Sequence, residues 1–383
     1  MKKEKIDNSS AHQISDKFCG KMIEPLILSG NNNVVDMIDN VFLRSGFNAR
    51  RLGQAARLFS KMIDSQATIA LTLAGAMTPI GMSGPIIELI KNGYIDFIIS
   101  TGANLYHDLH RPFDYPMMQG SSEVDDGELA EERIARIYDV FIHDDETLTA
   151  TDKVILKSIA RFDKSEKIST AQLHYQLGKT VSEIAPHPEK SLLVTAAEYD
   201  VPIYTSSPGD SSIAMNLALC HIWDNPIFID PLLDVLETTA IVRSSDINGA
   251  IEIGGGSPKN FYMQTQPMLW QILRDPKHSG GHDYFIQLTT DSPHWGGLSG
   301  ATPQEAKSWG KLKDDDINHM VVYSCASITF PIICQYVLNK NKPRKHKRLY
   351  QKRNAIMQEM KQATKNNPLA IKEWNEITKD CLE

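Results

Sequence analysis

Cysteine is scarce and unpaired in its spacing: there are five in 383 residues and none in a CxxC arrangement. That excludes a disulfide framework and a zinc ribbon, and it fits a reducing compartment. A long uninterrupted apolar run is also missing. The most apolar stretch, 67–99, is broken by Thr, Gly and Pro and by Glu88, Lys91 and Asp96, so no membrane-spanning segment is expected. The N-terminal MKKEKIDNSS carries charge without an apolar segment behind it, so no secretory signal is expected either. An excess of basic charge is absent as well. The net charge is −7, which gives no overall attraction for nucleic acid. These absences predict a cytoplasmic protein with neither membrane nor nucleic acid as partner.

What is present is an ordinary globular balance, 42% hydrophobic and 23% charged, outside the composition of disordered chains. A core of this size needs no covalent staple. Short apolar runs alternate with helical patterns. The run 34–64 has apolar residues at helical spacing. ATIALTLAG (67–75), GPIIELIKNG (84–93) and IDFIIST (95–101) read as strand, helix and strand. Residues 190–206 repeat a helix and a strand, and 214–223 a helix. Residues 238–245 fit no single assignment. NGAIEIGGGSPKNF (248–261) is a strand running through a glycine turn into a helix, and 282–291 and 319–327 are two more strands. Six or so short strands separated by helices predict an open, mostly parallel sheet with helices on both faces. The acidic stretch 120–150 reads as an insertion, helical from Asp126 to about Tyr138. The run 340–353 holds eight Lys or Arg and reads as a solvated helix start or linker ahead of a further helix.

Three loops could carry chemistry. Gly254, Gly255 and Gly256 let backbone approach a pyrophosphate at a helix N-terminus, although a tight turn without a ligand explains them too. STGANLYHDLH (100–110) follows a strand, where ligands collect in open sheets, and offers Thr101, Asn104, His107 and Asp108. His107 and His110 stand three apart, but no third ligand accompanies them, so no metal is expected. GGLSGATPQEAKSWGKL (296–312) is rich in glycine and small polar residues. Lys311 follows Trp309, and an aromatic wall can desolvate a lysine and favour its neutral, nucleophilic form. Spacing alone also allows a solvated surface lysine there.

Taken together, GGGSPKNF (254–261), SGATPQEAKSWGKL (299–312), CASITFPII (325–333), STGANLYHDL (100–109) and PIYTSSPGDSSI (202–213) resemble the deoxyhypusine synthase family, in the right order and at suitable spacing. The resemblance runs from Ile23 to Leu338. It implies a flexible segment 1–22, a Rossmann-like NAD-binding catalytic domain 23–339 and a basic, helical extension 340–383. It implies a homotetramer, NAD as cofactor and a polyamine, spermidine-like donor whose aminobutyl group is carried on a lysine as an imine. That lysine falls at Lys311. The resemblance puts Glu305, Trp309, Asn260, Ser299 and His107 at the substrate, and Thr101, Gly102, Asp108, Asp210, Gly255, Gly256 and Thr290 at the cofactor.

The sequence also departs from the family. Met215, Trp295 and Leu298 stand where acids are expected, Asn260 replaces a histidine and Cys325 an aspartate. These changes resemble the bacterial deoxyhypusine synthase-like branch and imply a small amine acceptor, as in homospermidine synthesis, ahead of a protein lysine. An NAD-dependent amine oxidoreductase and a non-catalytic binding homologue are the readings from other classes.

Overall fold

The computed structural model describes residues 21–162, 166–277 and 280–379; the expected loose segment up to residue 20 lies outside them. Six apolar runs form one sheet: β1 (Thr68–Leu73), β2 (Phe97–Ser100), β3 (Ile203–Thr205), β4 (Asn248–Ile253), β5 (Tyr284–Thr289) and β6 (His319–Tyr323). All neighbours are parallel, in the order β6-β5-β4-β1-β2-β3. The chain runs outward from β1 to β3, then returns to β4 beside β1 and runs outward again. The loops after β1 and β4 therefore diverge, and a crevice opens between them at the carboxyl ends of the strands.

Burial on both faces explains why the strands are apolar throughout. Ile69, Leu71, Ile98, Ile251, Ile286 and Val322 pack on one face against the Phe47–Asp64, Ser83–Lys91 and Ala326–Lys340 helices. Ala70, Phe97, Tyr204, Ala250 and Phe285 face the other way, toward Ile241, Tyr262 and Leu349. The result is the Rossmann-like α/β layering, with helices on both faces.

Several boundaries differ from the sequence reading. The 34–64 helix is divided: short turns over 34–44 precede a helix that starts at Phe47. Phe47 has φ +52 after an extended Gly46, which breaks the ladder. The insertion is not helical to Tyr138. Its helix ends at Glu131, and Ile134–Ile137 pairs antiparallel with Val140–His143, joined by Met117–Gln119. IARIYDVFIH alternates and is rich in β-branched residues, and Tyr138 at φ +55 makes the turn. Residues 238–243 belong to the Pro231–Arg243 helix.

The basic run is the largest difference. Arg344 is buried at the amino ends of the strands. It donates to the Ala67 carbonyl at 2.7 Å and to Asp96 at 2.6 Å, and also reaches the Gly93 carbonyl. Lys347 donates to Thr68 at 2.8 Å and Arg348 to Asp200 at 2.7 Å. Each partner comes from a distant segment, so local periodicity carries no sign of it. Two helices follow, Leu349–Lys365 and Pro368–Thr378. Among the described residues no helix is long and apolar enough to cross a membrane.

Candidate active site

The loops that follow the strands meet at the carboxyl edge. After β2, Thr101 donates to the Gly75 carbonyl at 2.7 Å, and Asn104 binds the loop after β1 from both ends of its amide. Gly102 lies so close to Ser211 that a Cβ would come within 2.4 Å of it. Ser207 and Ser257 join the loops after β3 and β4 at 3.1 Å. Ser299 lies over the glycine turn: its hydroxyl accepts from the Gly256 amide at 2.9 Å, and a Cβ on Gly255 would strike its Cα.

This edge fits a dinucleotide. Gly75, Gly209 and Gly256 sit on three different loops, and a Cβ on any of them would meet nothing within 4 Å. Gly75 and Gly256 have φ of +67 and +56, so their backbone lies open where a phosphate could approach. The buried Ser206 hydroxyl at the end of β3 has no hydrogen-bond partner.

The glycine turn leads into the Gly256–Met263 helix, which runs along the second face of the sheet. Asn260 lies one turn along, about 6 Å from Gly256. Its side-chain oxygen accepts from Lys311 Nζ at 2.9 Å. The half-buried Lys311 follows the short Pro303–Ser308 helix, and its own amide donates to the Ala306 carbonyl at 3.0 Å. Its ammonium lies 5.6 Å from the Trp309 ring centre. Burial holds its pKa below the ordinary lysine value, and the neighbouring Lys259 lowers it further; Glu305 and Glu252 pull the other way. A lysine in such a setting supplies a neutral amine more readily than one in water.

Glu252 and Lys259 were not singled out from the sequence. Thr72, Glu252 and Gln287 are cross-strand neighbours on β1, β4 and β5, facing the Gly256–Met263 helix. Lys259 drops from that helix onto Gln287 at 3.0 Å and the Ala301 carbonyl at 2.8 Å. Both Glu252 carboxylate oxygens are buried without a hydrogen-bond partner among the described residues, and so is the Thr72 hydroxyl. Burial raises Glu252 to about 8, against the opposing pull of Lys259 and Lys311. Burial likewise lowers Lys259. The available signal was a carboxylate in the middle of the apolar strand NGAIEI, where an unpaired charge is costly.

A cavity of about 530 Å³ opens beside Asn260. Val235, Phe261, Pro267, Met268, Ile272 and Leu298 make its apolar wall, and among the described residues no ionisable side chain lines it. Thr239 also lines it, with a buried hydroxyl that has no partner among the described residues. The size suits a small organic molecule.

The structure brings Lys311, Trp309, Asn260 and Glu305 together, and Ser299 with Gly255 and Gly256. Asp210 and Thr290 are exposed at the same edge of the sheet. Asp108 is not available to a cofactor. It is buried and accepts from Ser191, Leu192 and Leu193 at 2.7, 2.9 and 3.0 Å, capping the Leu192–Glu198 helix. A short carboxylate after a strand reads alike as ligand or cap, and the cap wins here because a helix start packs against it. His107 meets His110 at 2.9 Å, and His110 meets Thr151 at 2.7 Å, so ring nitrogens of both are engaged within the fold. Met215 and Trp295 are 70% and 73% exposed, and Leu298 is half exposed at the cavity.

A parallel sheet with an open glycine edge, and a half-buried lysine hydrogen-bonded to a residue one helical turn along, place the chain among Rossmann-like α/β proteins with a candidate active site at the strand ends. The chain belongs to the deoxyhypusine synthase family, whose model matches residues 36–337. A deoxyhypusine synthase-like protein of Nostoc punctiforme is 43% identical over 365 residues, 92% of each chain. A probable deoxyhypusine synthase 2 of Methanosarcina acetivorans is 36% identical over 311 residues, 81% of this chain and 88% of that one. A crystal structure from Entamoeba histolytica, described as a deoxyhypusine synthase, shares the fold with a TM-score of 0.55 at 16% identity, covering 82% of this chain and 96% of that one. Members of this family are enzymes that transfer the aminobutyl group of spermidine, generally with NAD.

Proposed function

We propose that Lys311 carries the aminobutyl group as an imine and that a small amine receives it, as in homospermidine synthesis. The observation that carries this reading is the setting of Lys311: desolvated, hydrogen-bonded to Asn260, flanked by Trp309 and electrostatically close to Glu305. The glycine edge is where NAD would lie, with Gly75, Gly209 and Gly256 open toward it, Asp210 beside Gly209, and Thr101 and Gly102 after β2. When bound, NAD supplies the hydride acceptor that turns the donor amine into an electrophilic imine. Neutral Lys311 then forms a bond from Nζ to the imine carbon, and the bond from that carbon to the donor nitrogen breaks. The departing diamine takes the proton that Nζ loses; the acceptor amine would then displace Nζ from the same carbon, giving Nζ back a proton, and the hydride would return to the new imine carbon. Asn260 orients Nζ, and Glu305 faces the cationic amine.

The neutral cavity beside Asn260 supports a small acceptor over a protein lysine. It holds a short carbon chain, and its apolar wall includes Leu298, where an acid is expected. The exposed Met215, Ile222, Trp223 and Leu232 offer the apolar surface that a tetramer would cover.

Labelled spermidine and NAD, offered with putrescine and separately with a hypusine-type protein acceptor, test the reading. Label in homospermidine without net NADH supports it. Label in the protein instead would make the acceptor a lysine side chain. Net NADH without transfer would mean amine oxidation. Lys311→Ala is expected to lose all transfer.

A further inference from the structure

The C-terminal helices lie beyond the residues that match the family, yet they brace two walls of the cavity beside Asn260. One wall is the Pro231–Arg243 helix, which turns Val235, Thr238 and Thr239 to the cavity. The other is the segment that carries Met268 and Ile272.

Behind the first wall, Met357 and Met360 pack on Ala240. Arg353 lies 3.7 Å from the buried Glu237, which accepts from the Tyr204 hydroxyl at 3.1 Å. Arg353 also sits over Tyr350, which stacks on Tyr175 with ring centres 3.7 Å apart.

At the end of the second wall, Arg274 has φ +50, a left-handed conformation that costs a residue with a side chain. The C-terminal segment holds it there. Asn367 donates to the Arg274 carbonyl at 2.6 Å, and both Glu373 oxygens meet the Arg274 guanidinium at 3.0 Å. The next residue, Asp275, pairs with Arg243 at the end of the first wall, and Arg243 also reaches Glu359 at 3.3 Å. The Leu349–Lys365 helix thus backs the first wall, Asn367 and the Pro368–Thr378 helix hold the end of the second, and Glu359 reaches the pair that ties the walls together.

We propose that residues 349–378 set the width of this cavity and so select the amine that reaches Lys311, with Arg353, Asn367 and Glu373 as positioning residues. This rests on the transferase reading: a small acceptor takes the place that the departing diamine of the donor vacates, so the one cavity holds the carbon chain of either amine. An apolar cavity with no ionisable lining sorts amines by length, and a rigid one distinguishes a single methylene by about tenfold or more. Walls released from behind lose that discrimination.

The test uses the full chain carrying Asn367→Ala and Glu373→Gln together, two changes at the surface of the fold. Spermidine and homospermidine differ by one methylene and would leave the same aminobutyl group on Lys311. The rate of adduct formation at limiting amine is measured for each, with the rate at saturation and the thermal midpoint alongside. The ratio between the two amines is expected to change by about threefold or more, with the saturating rate and the midpoint held. Arg353→Met is expected to change the ratio as well, with a lower midpoint because the buried Glu237 loses its counter-ion, and Arg353→Lys to restore the ratio. An unchanged ratio, or equal loss for both amines, overturns the brace and leaves the transferase reading standing. If the unmodified protein forms no adduct with either amine, the transferase reading fails. The ratio of dissociation constants from equilibrium titration then decides the brace: a ratio altered by the variants sustains it. An unaltered ratio, or binding of neither amine, overturns it.

Discussion

Lys311 is tuned chiefly by burial and next by the charge of Lys259. Removing that charge should raise the Lys311 pKa, because Lys259 lowers it while the pull of Glu305 and Glu252, which raise it, remains. Imine formation needs the neutral amine, which is present above the lysine pKa. The acid limb of the rate should therefore move to higher pH in Lys259→Met and stay near the unmodified position in Lys259→Arg. Adduct formation followed from pH 6 to 10 reads this directly, and coincident limbs in all three proteins would remove Lys259 from the account. At this scale the motif residues were legible: Lys311, Trp309 and Glu305 stand in one short segment, and the glycine turn in another. Glu252 was hidden because the charge of Lys259 and the neighbouring Gln287 come to it across the sheet face and not along the chain. Asp108 was misread because a cap and a ligand use the same side chain in the same kind of loop.

Among the elements, the strands were the most legible part of the fold. A strand buried on both faces reads as a near-continuous apolar run, and each of the six is recognisable on that ground. The insertion hairpin was missed because its acidic flanks and the capped Asp126–Glu131 helix mask ten residues of alternating pattern. The strap 341–348 was missed for a different reason. Its basic residues look solvated until Asp96 and Asp200 are brought beneath them from other strands' starts. Arg344 and Asp96 are both nearly inaccessible, so breaking the pair leaves a buried charge without a counter-ion. Arg344→Met should lower the unfolding free energy by about 3–5 kcal/mol, read by urea titration. A change below about 1 kcal/mol would mean that the strap contributes no more than a surface ion pair.

For the whole molecule, the sheet order divides the work between an edge and a face. The crevice between β1 and β4 gathers the loops that fit a dinucleotide, and the Gly256–Met263 helix leads from that edge to Lys311 on the adjoining face. The glycine turn and Asn260, which accepts from Lys311, thus lie on a single helix. The measurement that tests this most directly is borohydride trapping of the purified protein with NAD and labelled spermidine, followed by peptide mapping. The account predicts label on the peptide that carries Lys311, dependent on NAD and absent from Lys311→Ala. Label on another lysine, or undiminished label in Lys311→Ala, would contradict it.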